Sequence, residues 1–127
     1  MIAAAATHLD DARAVELTDW QPKPTTLTPG QREATSELWA SPDGTASTGV
    51  WACTPGIFTS VREGFSETCY ILEGEGTLHT DGGDPVALRP GVLFALPDGW
   101  RGRWEIVETL KKVYTIVTPS GNDLDGA

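Results

Sequence analysis

The stretch EGFSETCYILEGEG, residues 63–76, decides the fold of this chain. Its middle part is rich in β-branched and aromatic residues, a composition typical of a strand. Because alternate residues of a strand share a face, Glu67 lies on the same side as Cys69 and Ile71, which suit an interior. The sequence therefore predicts a strand that directs one carboxylate towards the inside of the domain.

Short strand-like segments continue along the chain on both sides of this stretch. They are TGVWACT (48–54), IFTSV (57–61), ETCYILEG (67–74), GTLHT (76–80), PVALR (85–89), GVLFALPDG (91–99), RWEIVE (103–108) and KKVYTIV (111–117). The chain has fourteen glycines and nine prolines, and DGGD (81–84) is a strong hairpin signal. Seven or so strands at regular spacing predict an all-β sandwich or barrel.

The length of 127 residues fits one compact domain with one core. Residues 1–46 are interpreted as an extended N-terminal arm packed on the barrel, because QPKPTTLTPGQ (21–31) has three prolines that interrupt regular structure. The barrel itself is assigned to residues 47–118. Residues 119–127 form a polar C-terminal tail in this interpretation.

The overall charge narrows the classes of partner. Eighteen acidic and nine basic side chains give a net charge of −9, which repels phosphate backbones and argues against nucleic-acid binding. The first residues, MIAAAATHLDD, have no basic segment and no long apolar run, so neither a signal peptide nor a membrane span is expected. We therefore expect a cytoplasmic protein that has no membrane partner.

Two cysteines, Cys53 and Cys69, are present, and their spacing matches neither a zinc ribbon nor a CxxC redox motif. Since thiols stay reduced in the cytoplasm, we expect both to be free and buried rather than joined in a disulfide.

Two glycine-bounded motifs carry a resemblance to a known family. Gly56, Glu67 and Gly74 match the first motif, and Gly91, Pro97 and Gly99 match the second. In this spacing the chain resembles the cupin superfamily, the RmlC-like jelly-roll barrels also called double-stranded β-helices. The two histidine positions of the first motif fall on Val61 and Glu63, or on Ser60 and Arg62 with the longer spacing, and that of the second falls on Gly102.

A narrower resemblance covers nearly the whole chain. The segments GVWACTPG, ETCYILEGEGTL and ALPDGWRGRWEIVETLKKVY are similar to single-domain cupins of the ureidoglycine aminohydrolase-like and EutQ-like type. The matching positions are Trp51, Glu67, Gly99, Gly102, Trp104, Glu108, Lys112 and Tyr114. One departure is Val92, where cupins usually have aspartate. The resemblance implies a single-domain jelly roll and, from the size of the chain, a homodimer.

The metal site of the resembled family is missing its nitrogen ligands. Such a site uses three imidazoles and one carboxylate, whereas this chain has only His8, in the arm, and His79, in a hairpin strand. A site built from Glu67 alone lacks the matched ligands that a transition metal needs. We therefore expect no metal ion and no cofactor.

A buried carboxylate at position 67 needs a partner, because burying an unpaired charge is costly. Lys112 is the candidate partner, and Tyr114, two residues further along the strand, shares its face. Trp51 and Trp104 are candidate walls of the same cavity. The alternatives are that Lys112 and Tyr114 point outwards and Lys111 replaces them, or that a Glu–Lys or Glu–Tyr contact lies inside a filled barrel.

Three functions remain open from the sequence. The first is a small-molecule-binding cupin without the usual histidine ligands, with an accessory or sensory role in metabolism. The second is an enzyme, by resemblance a hydrolase or aminohydrolase acting on a small ureido, amide or amino-acid-like compound. The third is a structural role with a filled barrel. The candidate ligand-binding residues are Trp51, Cys53, Glu67, Cys69, Trp104, Lys112 and Tyr114, of which Glu67, Lys112 and Tyr114 are also the catalytic candidates.

Overall fold

The computed structural model describes residues 4–119, so residues 1–3 of the predicted arm and all but the first residue of the predicted tail lie outside the described residues. The described chain contains one 3₁₀ turn, Ala12–Ala14, and eight strands. The strands are β1 (Gln21–Pro22), β2 (Arg32–Ala40), β3 (Ala46–Cys53), β4 (Gly56–Val61), β5 (Ser66–Thr80), β6 (Val86–Leu88), β7 (Leu93–Leu96) and β8 (Arg101–Val117).

All strand pairs are antiparallel, in the order β1-β2-β3-β8-β5-β6, while β4 pairs with β8 and β7 pairs with β5. The long strands β5 and β8 run side by side, and each has two partners on its other edge. This arrangement confirms the predicted all-β, single-domain jelly roll.

Two pairs of predicted strands are continuous in the structure. ETCYILEG and GTLHT both belong to β5, and RWEIVE and KKVYTIV both belong to β8. Register shifts between Ile71 and Gly76 let β5 bend without ending. Because a bulge inserts an unpaired residue and increases the local twist, one strand can serve both ends of the barrel.

The predicted arm differs from the structure at β2. Nine residues assigned to the arm form this strand, which pairs with β3 through Ser41–Gly44, a turn with Gly44 at a φ of 76°. The polar sequence of β2 concealed it, because a strand with one face open to solvent needs few apolar residues. The proline-containing segment before it lies across the barrel, where Thr26 bridges to Phe58.

Among the described residues, one hydrophobic core fills the barrel, and some of its members also line the cavity described below. Its buried members include Cys53, Phe58, Cys69, Ile71, Leu78, Leu88, Leu96, Trp100, Trp104, Ile106 and Leu110. On β5 the buried residues alternate with exposed ones from Glu67 to Ile71, as the sequence predicts. Among residues 4–119 there is no helix with the length and hydropathy needed to span a bilayer.

Candidate functional site

A cavity of about 300 Å³ lies inside the barrel beside Glu67. The residues that line it are Lys23, Thr35, Ser47, Trp51, Phe58, Ser60, Arg62, Phe65, Glu67, Trp104, Lys112, Tyr114 and Ile116. Five of the predicted ligand-binding residues are therefore brought together. Their strands, β3, β5 and β8, are hydrogen-bonded neighbours, so side chains distant in sequence share one interior face.

Glu67 is held in the cavity wall by two cations. Its side chain is 4% exposed, and its Oε2 accepts a hydrogen bond from Lys112 Nζ at 2.8 Å. Its Oε1 accepts from Arg62 Nε at 2.9 Å and from Arg62 Nη2 at 2.5 Å. Charge-assisted bonds of this kind satisfy a buried carboxylate, so Glu67 is not an orphaned charge.

Lys112 lies on the inward face of β8 together with Leu110 and Tyr114. This placement excludes the alternative in which Lys111 replaces it: Lys111 Nζ donates instead to the carbonyl oxygens of Arg13 and Val15 in the N-terminal segment. The Lys112 ammonium also lies over two aromatic rings, 4.3 Å from the ring centroid of Trp51 and 4.4 Å from that of Trp104. Cation–π attraction thus stabilises the ammonium where water is scarce.

Arg62 was missed by the sequence reasoning. It follows β4, and its Nη1 donates to Ser60 Oγ and to the carbonyl oxygen of Val61. Ser60 and Arg62 line the cavity, whereas the alternative positions point outwards, since Val61 is 39% exposed and Glu63 is exposed. The longer spacing of the first cupin motif is therefore the correct one, and a guanidinium occupies an inward position at which the family pattern has an imidazole.

Aromatic rings form the apolar wall of the cavity. Trp104 packs edge-on against Trp51, with ring centroids 5.7 Å apart, and stacks on Phe58 at 5.6 Å. Behind Trp51, Glu33 accepts from Trp51 Nε1 at 2.9 Å and from Lys23 Nζ at 3.1 Å. Lys23 Nζ also lies 4.5 Å from the ring centroid of Phe58. Lys23 and Glu33 carried no signal in the sequence, because the predicted arm to which they belong reaches the barrel only through tertiary structure. Phe58 lies in the predicted strand IFTSV but was not singled out.

The electrostatics of Glu67 argue against proton abstraction at neutral pH. Burial raises the pKa of Glu67, but the charges and hydrogen bonds of Lys112 and Arg62 outweigh this effect, so its pKa lies below the ordinary value of 4.5. A carboxylate with a lowered pKa and both oxygens engaged is a weak general base, because a good one has a pKa near the working pH.

Tyr114, the third catalytic candidate, also faces the cavity. Burial, followed by the charges of Glu37 and Glu67, raises the pKa of its hydroxyl. Tyr114 is therefore a neutral phenol at physiological pH, able to donate a hydrogen bond to a ligand.

Trp104 is fully buried, and its indole Nε1 has no hydrogen-bond partner among residues 4–119.

The two cysteines lie elsewhere. Cys53 and Cys69 are free thiols in the core, 0% and 1% exposed, and neither is among the described residues that line the cavity. Their inclusion as ligand-binding candidates came from strand alternation, which gives the face of a residue but not its depth. Burial raises the pKa of each thiol to about 12, so neither forms the thiolate that nucleophilic attack requires.

The donor set of the cavity does not fit a metal ion. Within residues 4–119, no group of three or more histidine, cysteine, aspartate or glutamate side chains is placed to hold one. The carboxylate at the family's ligand position, Glu67, already binds Arg62 and Lys112, and a divalent cation there would meet two positive charges. An ammonium and a guanidinium thus occupy the space that ligands and metal would need.

Comparison with known proteins agrees with the fold and with the motifs. Residues 40–114, more than half of the chain, match the family model for the EutQ-like cupin domain. The barrel and its glycine-bounded motifs define a cupin. The chain belongs, more narrowly, to the EutQ-like cupin family. A search of curated proteins gave no match.

Three solved structures illustrate the range of similar proteins. The EutQ protein of Clostridium difficile has a TM-score of 0.66 at 19% identity, with 84% of this chain and 76% of that chain covered. A DUF861-family protein of unknown function from Pseudomonas syringae has a TM-score of 0.71 at 20% identity, and the match covers 83% of this chain and 46% of that longer chain. Ectoine synthase from P. lautus has a TM-score of 0.65 at 21% identity, with 99% and 85% covered. At these identities the likeness extends to the fold alone.

Proposed function

We propose that this protein binds a small organic molecule in the barrel cavity without a metal ion. The observation that carries the proposal is the cavity of about 300 Å³, which lies at the lower end of the range for small-molecule sites. A filled barrel, the alternative left open by the sequence, has no such space. Glu67 is held by Lys112 and Arg62, and Glu33 is held by Lys23, so the wall of the site is ordered before a ligand arrives.

The composition of the wall supports the same function. Trp51, Phe65 and Ile116 offer apolar surface, while Lys112, Arg62 and Tyr114 offer hydrogen-bond donors. A mostly apolar wall with a few placed polar groups is the usual make-up of ligand sites, because the apolar part supplies affinity and the polar part orientation.

The enzymatic alternative, a hydrolase or aminohydrolase, receives less support. Glu67 is ion-paired on both oxygens and has a lowered pKa, and the raised pKa values of Cys53 and Cys69 leave no thiolate. An accessory or sensory role in metabolism accords better with a site that has donors and no activated base. The cytoplasmic location and the homodimeric state remain predictions.

A screen of small metabolites, anionic, neutral and cationic, by intrinsic tryptophan fluorescence tests the proposal. Trp51 and Trp104 lie in the cavity wall, so an occupant should change their emission. We expect at least one compound to bind saturably to the wild type, with calorimetry giving one site per chain.

Two matched variants locate the site. Ser47→Phe fills the cavity from β3 and should abolish binding, whereas Thr68→Phe, on the exposed face of β5, should leave it intact. Saturable binding that survives Ser47→Phe, or the lack of any binding compound in the wild type, would contradict the proposal.

A further inference from the structure

The charges around the cavity do not cancel. Among the described lining residues, Lys23, Arg62 and Lys112 are cationic, and Glu67 is the one carboxylate. Glu33, which contacts Lys23 from behind Trp51, neutralises that lysine at 3.1 Å. Three positive and two negative groups leave a net charge of +1 in a cavity of a protein whose overall charge is −9.

The excess positive charge of the cavity acts strongly on a ligand because the groups that carry it are largely buried. The side chains of Lys112, Arg62 and Lys23 are 5%, 13% and 16% exposed, so bulk water screens them little. Charges removed from water are normally paired, because an unpaired one loses its hydration without compensation. A ligand that supplied one negative charge would complete the pairing.

A cationic ligand is disfavoured by the same contacts. The ammonium of Lys112 already lies against the rings of Trp51 and Trp104, and that of Lys23 lies against Phe58. An incoming cation would thus compete with resident ammonium groups for the aromatic rings and be repelled by them. It would also find both oxygens of the cavity's carboxylate in use.

Donors for an anion remain unused. Lys112 makes one hydrogen bond within the described residues, to Glu67, which leaves two of its three N–H groups without an acceptor. Lys23 likewise makes one, to Glu33. Arg62 has five N–H groups and makes four hydrogen bonds, with Glu67, Ser60 and the carbonyl oxygen of Val61, so one Nη2 N–H is unused.

We propose that the ligand is a small monoanionic carboxylate with an apolar portion. The unused donors of Lys112, Arg62 and Lys23 receive the carboxylate, and the more accessible apolar lining residues, Trp51, Phe65 and Ile116, contact the apolar portion. A monoanion matches the net charge of the cavity, whereas a dianionic phosphate monoester would leave one negative charge in excess. This inference rests on the proposed function, since it specifies the ligand of the same site.

Matched probes of one shape and different charge test the inference on the wild-type protein. The probes are phenylacetate, phenylacetamide, 2-phenylethylamine and phenyl phosphate, with hexanoate and hexanamide as an aliphatic pair, all measured by calorimetry at pH 7.5. We expect at least one carboxylate to bind about tenfold or more tightly than its amide, because hydrogen bonds to a charged acceptor are the stronger ones. The amine should not bind, and phenyl phosphate should bind more weakly than phenylacetate.

Binding of an amide or the amine as tightly as the matching carboxylate would overturn the inference, as would tighter binding of phenyl phosphate or failure of both carboxylates to bind. If the wider screen then finds a neutral ligand whose binding Ser47→Phe abolishes, the proposed function stands and only the ligand class is wrong. If no compound of any charge binds, both fail.

A pair of variants separates the charge of the cavity from that of the whole protein. Lys23→Met removes one lining cation, and Arg103→Met removes one exposed cation from the outer face of β8. We expect Lys23→Met to weaken carboxylate binding about fivefold or more without affecting the amide, since the largely buried charge of Lys23 in the cavity wall is screened little by water. Arg103→Met should leave both unchanged, and equal effects of the two variants would count against the inference.

Discussion

Glu67 has a structural role that precedes any ligand, because it separates two cations that would otherwise repel each other. Lys112 and Arg62 each contact a different oxygen of its carboxylate. Removing one partner of a buried ion pair leaves an uncompensated charge, which typically costs about 3–5 kcal/mol. The stability of the barrel and the chemistry of its cavity therefore depend on the same side chain.

Replacing Glu67 by glutamine is predicted to lower the free energy of unfolding by about 3–5 kcal/mol, because Lys112 and Arg62 then lose their shared counter-ion. Urea unfolding followed by far-ultraviolet circular dichroism measures the change. Glu63→Gln, an exposed carboxylate four residues away, is the matched control and should change the free energy by no more than about 0.5 kcal/mol. Similar small effects of both substitutions would show that the ion pairs do not stabilise the fold.

The difference between the wild type and Glu67→Gln should also depend on pH. The pKa of Glu67 is lowered in the folded state, so its contribution is fully present above the ordinary value of 4.5 and is lost as the pH falls through the folded-state pKa. We expect a constant difference between pH 6 and 8, and a narrowing one in acid, where protonated Glu67 resembles glutamine. A difference that widened in acid would mean that the pKa is raised instead.

The residues of the site were predictable to different degrees. Glu67 follows from strand alternation, a local rule that tertiary structure preserved. Lys112, Trp51 and Trp104 were candidates because the family resemblance has such residues at these positions, and the sequence left the face of Lys112 open. Arg62 was missed because the first motif allows two spacings, and a shift of one residue reverses the face. Lys23 was unpredictable in principle, since no periodicity links a proline-rich segment to a barrel interior.

At the scale of the elements, β5 and β8 are the central strands of the fold. They pair with each other, and each also pairs with two further strands, one towards each end of the barrel. The sequence divided each into two strands, at Gly74–Gly76 in the first case, since glycine within a strand pattern suggests an end or a bulge. The structure has a bulge there. Interpreting the glycines as a bulge would have predicted the continuous strand correctly, but the local sequence does not distinguish a bulge from the end of a strand.

Gly74 is predicted to be among the least replaceable residues of β5. Its φ is 96°, and a Cβ atom would lie 2.2 Å from the backbone oxygen of Thr109 on β8. Gly91 has a similar φ of 97°, but no atom lies within 4 Å of its Cβ position. Gly91→Ala should therefore cost about 1–2 kcal/mol, the strain of a left-handed backbone alone. Gly74→Ala should cost clearly more, because β5 and β8 must also move apart.

Thermal unfolding of the two alanine variants makes this comparison, since backbone strain is common to both and only the contact with β8 differs. A melting temperature for Gly74→Ala equal to that of Gly91→Ala would mean that the bulge relaxes freely and that the close approach of the strands does not constrain the fold.

At the scale of the whole molecule, the sign of the charge changes between surface and cavity. The chain carries −9 overall, yet the cavity carries an excess of +1 by the count given above. Screening at physiological salt limits the range of interactions between exposed charges to about 8 Å. The electrostatic energy of an anion at the mouth of the cavity therefore depends on the charges of the cavity and not on those of the distant surface. Composition alone therefore does not give the sign of the charge in the cavity, while it remains a sound argument against nucleic-acid binding.

The homodimer predicted from the sequence has a candidate face on the outside of the sheet. Tyr70 and Leu93 are opposite each other on β5 and β7 and are 44% and 72% exposed. Their neighbours across the strands, Thr68, Ala95, Val113 and Thr115, are all uncharged. Two anionic copies can therefore meet here without bringing like charges together, and exposed apolar surface commonly marks such contacts.

If a second copy covers this face, size-exclusion chromatography with light scattering should give twice the chain mass of 13.6 kDa. Leu93→Lys should shift the protein to the monomer, because each copy would then bury an ammonium group in an otherwise uncharged contact. Leu27→Lys is the matched control, since Leu27 is 66% exposed but lies outside the patch, and it should leave the dimer intact. A wild-type monomer at high concentration would refute the dimer, whereas equal dissociation by both variants would refute this face as the interface.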